Sequence, residues 1–164
     1  MATDSMGQRI RKKDFYARTK GFTTMKCFPG VKAPRLEHYI LPDLIEHQPQ
    51  TLAVHVGTNS ILDREKTPEE ISEEILSIGE TAEEYGVENV IVSSLIVRRS
   101  GHHAEEKRRK VNEILREKCE ARNYLFVSNN NISPRDISDD RVHLLNSGSA
   151  KFAKNLIDAV NRFY

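Results

Sequence analysis

The chain has 164 residues, of which 38% are hydrophobic and 30% charged, with a formal net charge of +1. That length suits a single domain with its own core, and no stretch approaches the roughly 18 consecutive apolar residues of a membrane span. Two cysteines, Cys27 and Cys119, do not make a disulfide framework in a domain of this size. The N-terminus lacks the apolar run of a secretory signal, so the expected setting is intracellular and cytoplasmic.

After Ser5 the basic segment Met6–Arg18, with Ile10, Phe15 and Tyr16 as its apolar residues, reads as a first helix. Thr23–Phe28 is short and β-favouring, and Pro29-Gly30 stops it. Leu36, Tyr39, Ile40, Leu44 and Ile45 recur at helical spacing, although Pro42 is expected to forbid one uninterrupted helix. Leu52–Val56 reads as a buried strand ending at Gly57.

The helix that follows is the best-signalled element. Thr67 serves as its N-cap, Pro68 as its first residue and Glu70 as the return partner of a capping box. Its apolar face is Ile71, Ile75, Ile78, Ala82 and Tyr85, and Gly86 ends it. Val90–Val97 is an almost unbroken apolar run, which suits a parallel strand covered on both faces. A helix bearing Val111, Ile114, Leu115 and Cys119 comes next, then a strand over Tyr124–Val127. Ala153, Leu156, Ile157 and Val160 mark a last helix. Cys119 reads as a small core residue and Cys27 as a strand residue. Strands alternating with helices imply an α/β/α protein with a central parallel sheet.

Charge is unevenly spread. Residues 1–40 hold nine Lys/Arg against three Asp/Glu, whereas residues 63–84 hold two against nine. Such runs are ordinarily solvated helix faces. The sharper reading makes the basic end a docking surface for phosphate, on RNA or on an anionic lipid membrane.

Several residues that could carry chemistry fall where such a fold puts it. Gly30 and Gly57-Thr58-Asn59 follow strands, and Asp140 and His143 lie in the long loop after the last strand; open α/β sheets bind ligands at the carboxyl ends of their strands. A serine hydroxyl such as that of Ser5 is a weak nucleophile unless a base stands beside it; its structural role would be to cap the first helix. Of six histidines, only His143 has an acid three positions before it and a glycine, Gly148, five after. His102 and His103 read as a solvated loop pair, His38 and His47 as surface residues and His55 as a strand residue. None has metal-ligand spacing with Cys, Asp or Glu.

Taken together, Thr3-Asp4-Ser5, Phe28-Pro29-Gly30, Gly57-Thr58-Asn59 and Asp140-Arg141-Val142-His143 resemble the four signature blocks of the SGNH (GDSL-type) hydrolases, from Thr3 to the C-terminal helix. The resemblance implies the flavodoxin-like SGNH fold, with a very short or truncated first strand. It implies Ser5 as nucleophile, His143 as general base and Asp140 as the acid that orients it. The backbone N–H groups of Ser5 and Gly30 and the side-chain amide of Asn59 are the implied oxyanion donors. No metal or organic cofactor is implied. Two positions depart from the pattern: Thr3 stands for a Gly, and Ser60 for an Asp that is not a catalytic group.

Within that superfamily, the small size, the Phe-Pro-Gly block and the Lys/Glu-rich helices most resemble the esterase domains in first-open-reading-frame proteins of LINE-type retrotransposons. Residues 1–164 would then be one domain of a longer protein, in which self-association has a place. The activity implied is hydrolysis of short acyl esters, acetyl esters above all, through an acyl-enzyme. A different class of function is an SGNH-like module that binds RNA or lipid, with catalysis lost or incidental. Nucleotide hydrolysis is set aside, because neither G-x-x-x-x-G-K-[ST] nor G-x-G-x-x-G occurs.

Overall fold

The structure is a computed structural model that describes residues 1–20 and 23–164. Five parallel strands form its sheet: β1 (Ala2–Thr3), β2 (Lys26–Cys27), β3 (Thr51–His55), β4 (Asn89–Ser93) and β5 (Leu125–Val127), in the order β2-β1-β3-β4-β5. The helices are α1 (Lys12–Arg18), α2 (Ala33–His47), α3 (Pro68–Glu84), α4 (His102–Ala121) and α5 (Asn146–Val160).

Side chains alternate across a strand, so β3 and β4 each feed two cores. Leu52 and Val54 of β3, with Val90 and Val92 of β4, pack beneath α2, α3 and α4. Ala53 and Ile91 point the other way, toward α5. Phe15 of α1 meets Phe152 and Leu156 of α5 in the remaining part of that second layer. The molecule is thus the three-layer α/β/α sandwich that the alternating elements imply.

The capping box at Thr67 forms. Thr67 N donates to Glu70 Oε2 at 2.7 Å, and Glu70 N donates to Thr67 Oγ1 at 3.1 Å. Ile71, Ile75 and Ile78 of α3 are fully buried. Each such side chain contributes about 1.5–3 kcal/mol by burial, which outweighs the exposed acidic face. Cys119 lies wholly inside the core on α4, and burial pushes its thiol up to about 12.

Four local expectations need correction. The first helix does not run from Met6. Ser5–Gly7 form a single 3-10 turn, and the α-helix begins only at Lys12. Gly7 is a poor helix residue, and Arg9 reaches out of the segment to donate to the Leu144 carbonyl at 2.9 Å. Pro42, conversely, does not divide α2, which runs on through it. Its ring lies on the exposed face, while Leu36, Ile40 and Leu44 anchor the opposite face in the core, so the lost backbone bond falls on the solvent side. His102 and His103 are the exposed first residues of α4 rather than a loop pair. The run Val90–Val97 is strand only to Ser93; Leu95 and Ile96 stay buried but leave the ladder.

The strand order has one functional consequence. In a 2-1-3-4-5 sheet the connections diverge to opposite sides between β1 and β3, and a crevice opens at their carboxyl ends. Ser5 follows β1, and Gly57-Thr58-Asn59 follow β3.

Candidate active site

β1 has only two residues, yet it is paired on both sides, with Ala2 and Thr3 in register with Lys26 and Cys27 of β2 and with Val54 and His55 of β3. Two further bonds extend this clamp: Asp4 N to His55 O at 2.9 Å and Phe28 N to Thr3 O at 2.8 Å. Asp4 is the cap of the turn, its Oδ1 accepting from Met6 N at 3.0 Å. Ser5 is therefore the first residue inside the turn and not its cap. It is 8% exposed, and neither its hydroxyl nor its backbone N–H has a hydrogen-bond partner among the described residues.

Gly30 and Asn59 sit on the loops after β2 and β3. Gly30 has φ +77° and open space where a Cβ would be, so backbone shape rather than crowding calls for glycine there. Its N–H also lacks a partner among the described residues. Asn59 Nδ2 donates to Val31 O at 3.3 Å, which ties the two loops together and leaves a second amide hydrogen available. Gly57, at φ +121°, brings its backbone against Ile75 and Leu95, where a Cβ would lie 2.9 Å from either side chain.

The loop between β5 and α5 is held by its own polar groups. Asp140 Oδ1 accepts from Ser138 Oγ at 2.7 Å and from the backbone N–H of Val142 at 2.9 Å and of His143 at 2.8 Å. Its Oδ2 lies 2.7 Å from His143 Nδ1. The Ser138 hydroxyl foremost, then these N–H donors and the imidazole, holds the Asp140 carboxyl well below the usual carboxylate range.

A second carboxylate braces the base of the same loop. Asp136, 4% exposed, accepts from Ser133, Ser147 and Lys151, and its carbonyl accepts from Leu145 N at 2.7 Å. Burial pushes its carboxyl up, but Lys151 and the hydroxyl and backbone donors prevail and bring it down to about 2.

The structure thus brings Asp140 and His143 into direct contact, and Asn59 beside the loop of Gly30. It does not close Ser5 onto His143. No hydrogen bond joins them, and His143 Nε2 is without a partner among the described residues. The two segments are linked instead through Arg9 and Leu144, the residue after His143. Candidate catalytic hydrogen bonds are commonly long or open before substrate enters.

Sequence reasoning missed three neighbours of this site. Arg98, half-buried, donates from Nη1 to Thr58 O at 2.7 Å and from Nε to Ser100 Oγ at 2.6 Å. Burial draws its guanidinium below its ordinary value, while the nearby Asp4 carboxylate pushes it back up. His55 is fully buried under Asp4, with Nδ1 3.1 Å from Ser93 Oγ and its ring edge-on to Phe152. Burial holds its imidazole below the ordinary range against the pull of Asp4 and Ser93. Arg9 carried no local signal, since its partner lies 135 positions away. Among the described residues no group of three or more His, Cys, Asp or Glu could hold a metal ion.

Neither a protein-family model nor a curated protein matches the sequence. Solved structures do match the coordinates. A GDSL-like lipase from Bacteroides thetaiotaomicron superposes with a TM-score of 0.85 at 16% identity, covering 99% of this chain and 87% of that one. The fold is that of the SGNH (GDSL-type) hydrolases. A lipase/acylhydrolase from Enterococcus faecalis gives a TM-score of 0.78 at 16% identity, over 98% of this chain and 93% of the other. An acetylxylan esterase from Geobacillus stearothermophilus gives 0.75–0.76 at 13–14% identity over 97% and 91%. Its structures include catalytic mutants at a serine, an aspartate and a histidine, the last two being three positions apart.

Proposed function

We propose that this protein is a carboxylic ester hydrolase that cleaves short acyl esters, acetyl esters above all, through an acyl-enzyme on Ser5. One observation carries the reading. An ionised Asp140 lies 2.7 Å from His143 Nδ1, in a loop anchored by Arg9 to the segment that bears Ser5. The SGNH fold adds support, as does the serine, aspartate and histidine set named for the acetylxylan esterase, whose acid–histidine spacing equals that of Asp140 and His143.

The chemistry follows from the groups present. With substrate in the crevice, His143 Nε2 accepts the Ser5 proton as Oγ attacks the ester carbonyl carbon. Negative charge moves to the carbonyl oxygen, where the Ser5 and Gly30 N–H groups and the Asn59 amide donate to it. The intermediate collapses, the C–O bond to the alcohol breaks, and imidazolium returns its proton to the departing alkoxide. Water then attacks the acyl-serine by the same route, with His143 taking its proton and delivering it to Ser5 Oγ as the acid leaves. Asp140 stays ionised throughout. It fixes the tautomer and balances the imidazolium.

The narrower resemblance, to the esterase domains of LINE first-open-reading-frame proteins, belongs to this proposal on its sequence blocks alone. The test of the activity is release of p-nitrophenol from p-nitrophenyl acetate and from longer acyl esters. Turnover that falls with acyl length and drops about 10³-fold or more in Ser5→Ala supports the reading. Turnover that survives Ser5→Ala refutes the assignment of the nucleophile. A parent protein that hydrolyses none of the esters refutes the activity and leaves the binding-module alternative standing.

A further inference from the structure

Beside the proposed active site, where the loops after β4 and β5 meet the start of α4, lies an open cleft of about 540 Å³. Four arginines line it (Arg98, Arg99, Arg108 and Arg109) against one carboxylate, Glu105. Glu105 is occupied by two of them, Arg108 through both oxygens at 2.7 and 2.8 Å and Arg109 at 3.0 Å. Arg108 also donates to Leu95 O at 2.9 Å. The exposed Arg99 has no side-chain partner among the described residues, while Arg98 spends its fork on a carbonyl and a hydroxyl and has the Asp4 carboxylate, which does not line the cleft, as its nearby counter-charge. Positive charge is therefore in excess in this open cleft, where Arg99, Arg108 and Arg109 face a single carboxylate.

Two features add to it. α4, of 20 residues, opens at Gly101 with no side-chain cap, so its first-turn N–H groups and the positive end of its dipole face the cleft beside His102. Asn130 contributes an exposed amide from the far wall. Planar guanidinium forks and free helix N–H groups match the oxygens of a phosphate better than any neutral sugar or alkyl chain.

The cleft is joined to the proposed machinery on two sides. Arg98 holds the carbonyl of Thr58, next to Asn59. Arg99 N donates to Arg141 O at 3.0 Å, two residues before His143. We infer that the cleft receives a phosphate carried by the alcohol part of the ester, so that the substrate class is acyl esters of phosphorylated alcohols. The inference rests on the esterase reading for its chemistry. The phosphate site itself stands apart from it.

The experiment separates the two. Acetate release is measured from monoacetylglycerol 3-phosphate and from monoacetylglycerol, and glycerol 3-phosphate binding to the Ser5→Ala protein is measured by calorimetry. The expected result is a kcat/KM at least about tenfold higher for the phosphorylated ester, a preference lost in Arg99→Ala. Binding is likewise expected in Ser5→Ala and absent from Ser5→Ala/Arg99→Ala, while Arg162→Ala, a charge removal away from the cleft, leaves it intact. Arg99 is exposed, so its truncation does not threaten folding. Binding with these dependences but no hydrolysis of either ester would uphold the phosphate site and defeat the esterase reading. Equal turnover of both esters, or no binding of glycerol 3-phosphate, overturns the inference.

Discussion

Asp140 grips His143 at two points: its Oδ1 accepts the His143 backbone N–H at 2.8 Å, and its Oδ2 meets the ring Nδ1 at 2.7 Å. Orientation of the imidazole is thereby set within one four-residue segment, with no help needed from another element. Because the Ser138 hydroxyl and the surrounding N–H groups hold the Asp140 carboxyl well below the usual range, it remains ionised at any pH where an esterase is ordinarily assayed.

Asp140→Asn is expected to lower kcat/KM by about 10³–10⁴-fold, since the amide supplies neither counter-charge nor tautomer control. The folded-state depression of Asp140 means that its contribution to loop order is complete above about pH 4 and is lost as pH falls further. Activity limited by Asp140 protonation should therefore not appear between pH 5 and 8. A variant of normal activity, measured by initial rates on p-nitrophenyl acetate, would remove Asp140 from the mechanism.

Asn59 separates a catalytic role from a structural one. The one hydrogen bond its side chain makes among the described residues, 3.3 Å to Val31 O, is long, so losing it costs about 1 kcal/mol or less. Donation to the oxyanion strengthens only in the transition state, and Asn59→Ala should lower kcat about 10²–10³-fold with little change in KM or Tm. A fall in Tm with unchanged kcat would make the residue structural.

Much of this architecture is legible in the sequence, and the exceptions have physical reasons. The capping box at Thr67 and the isoleucine face of α3 announce themselves locally. Asp140 and His143 do too, because their relation spans three residues. β1 and β2, at two residues each, are too short to show a period; they exist because β3 and one another complete their ladders. The break after Gly7 depends on what Arg9 finds 135 positions away, and Pro42 is tolerated because its ring happens to face water. The arginine cleft draws Arg98 and Arg99 from one loop and Arg108 and Arg109 from the next helix, and only the fold brings them to one wall.

His55 provides a stability test of the buried ground beneath Ser5. Burial lowers its folded-state value, so between that value and about 6.5 the unfolded chain binds a proton that the folded chain does not. Stability from this residue is complete above about pH 6.5 and declines as pH falls below it. Urea unfolding at pH 7.5 and 5 should show a smaller loss between the two in His55→Gln than in the parent chain. An identical loss would mean that His55 is not held neutral between Asp4, Ser93 and Phe152.

The central claim is that Ser5 is the nucleophile. Its most direct test is reaction of the active protein with a fluorophosphonate, followed by mass mapping of the adduct. The account predicts one adduct per chain, on Ser5, forming in step with loss of esterase activity and absent from Ser5→Ala and from denatured protein. An adduct on another residue, or full activity after Ser5 is modified, would contradict it.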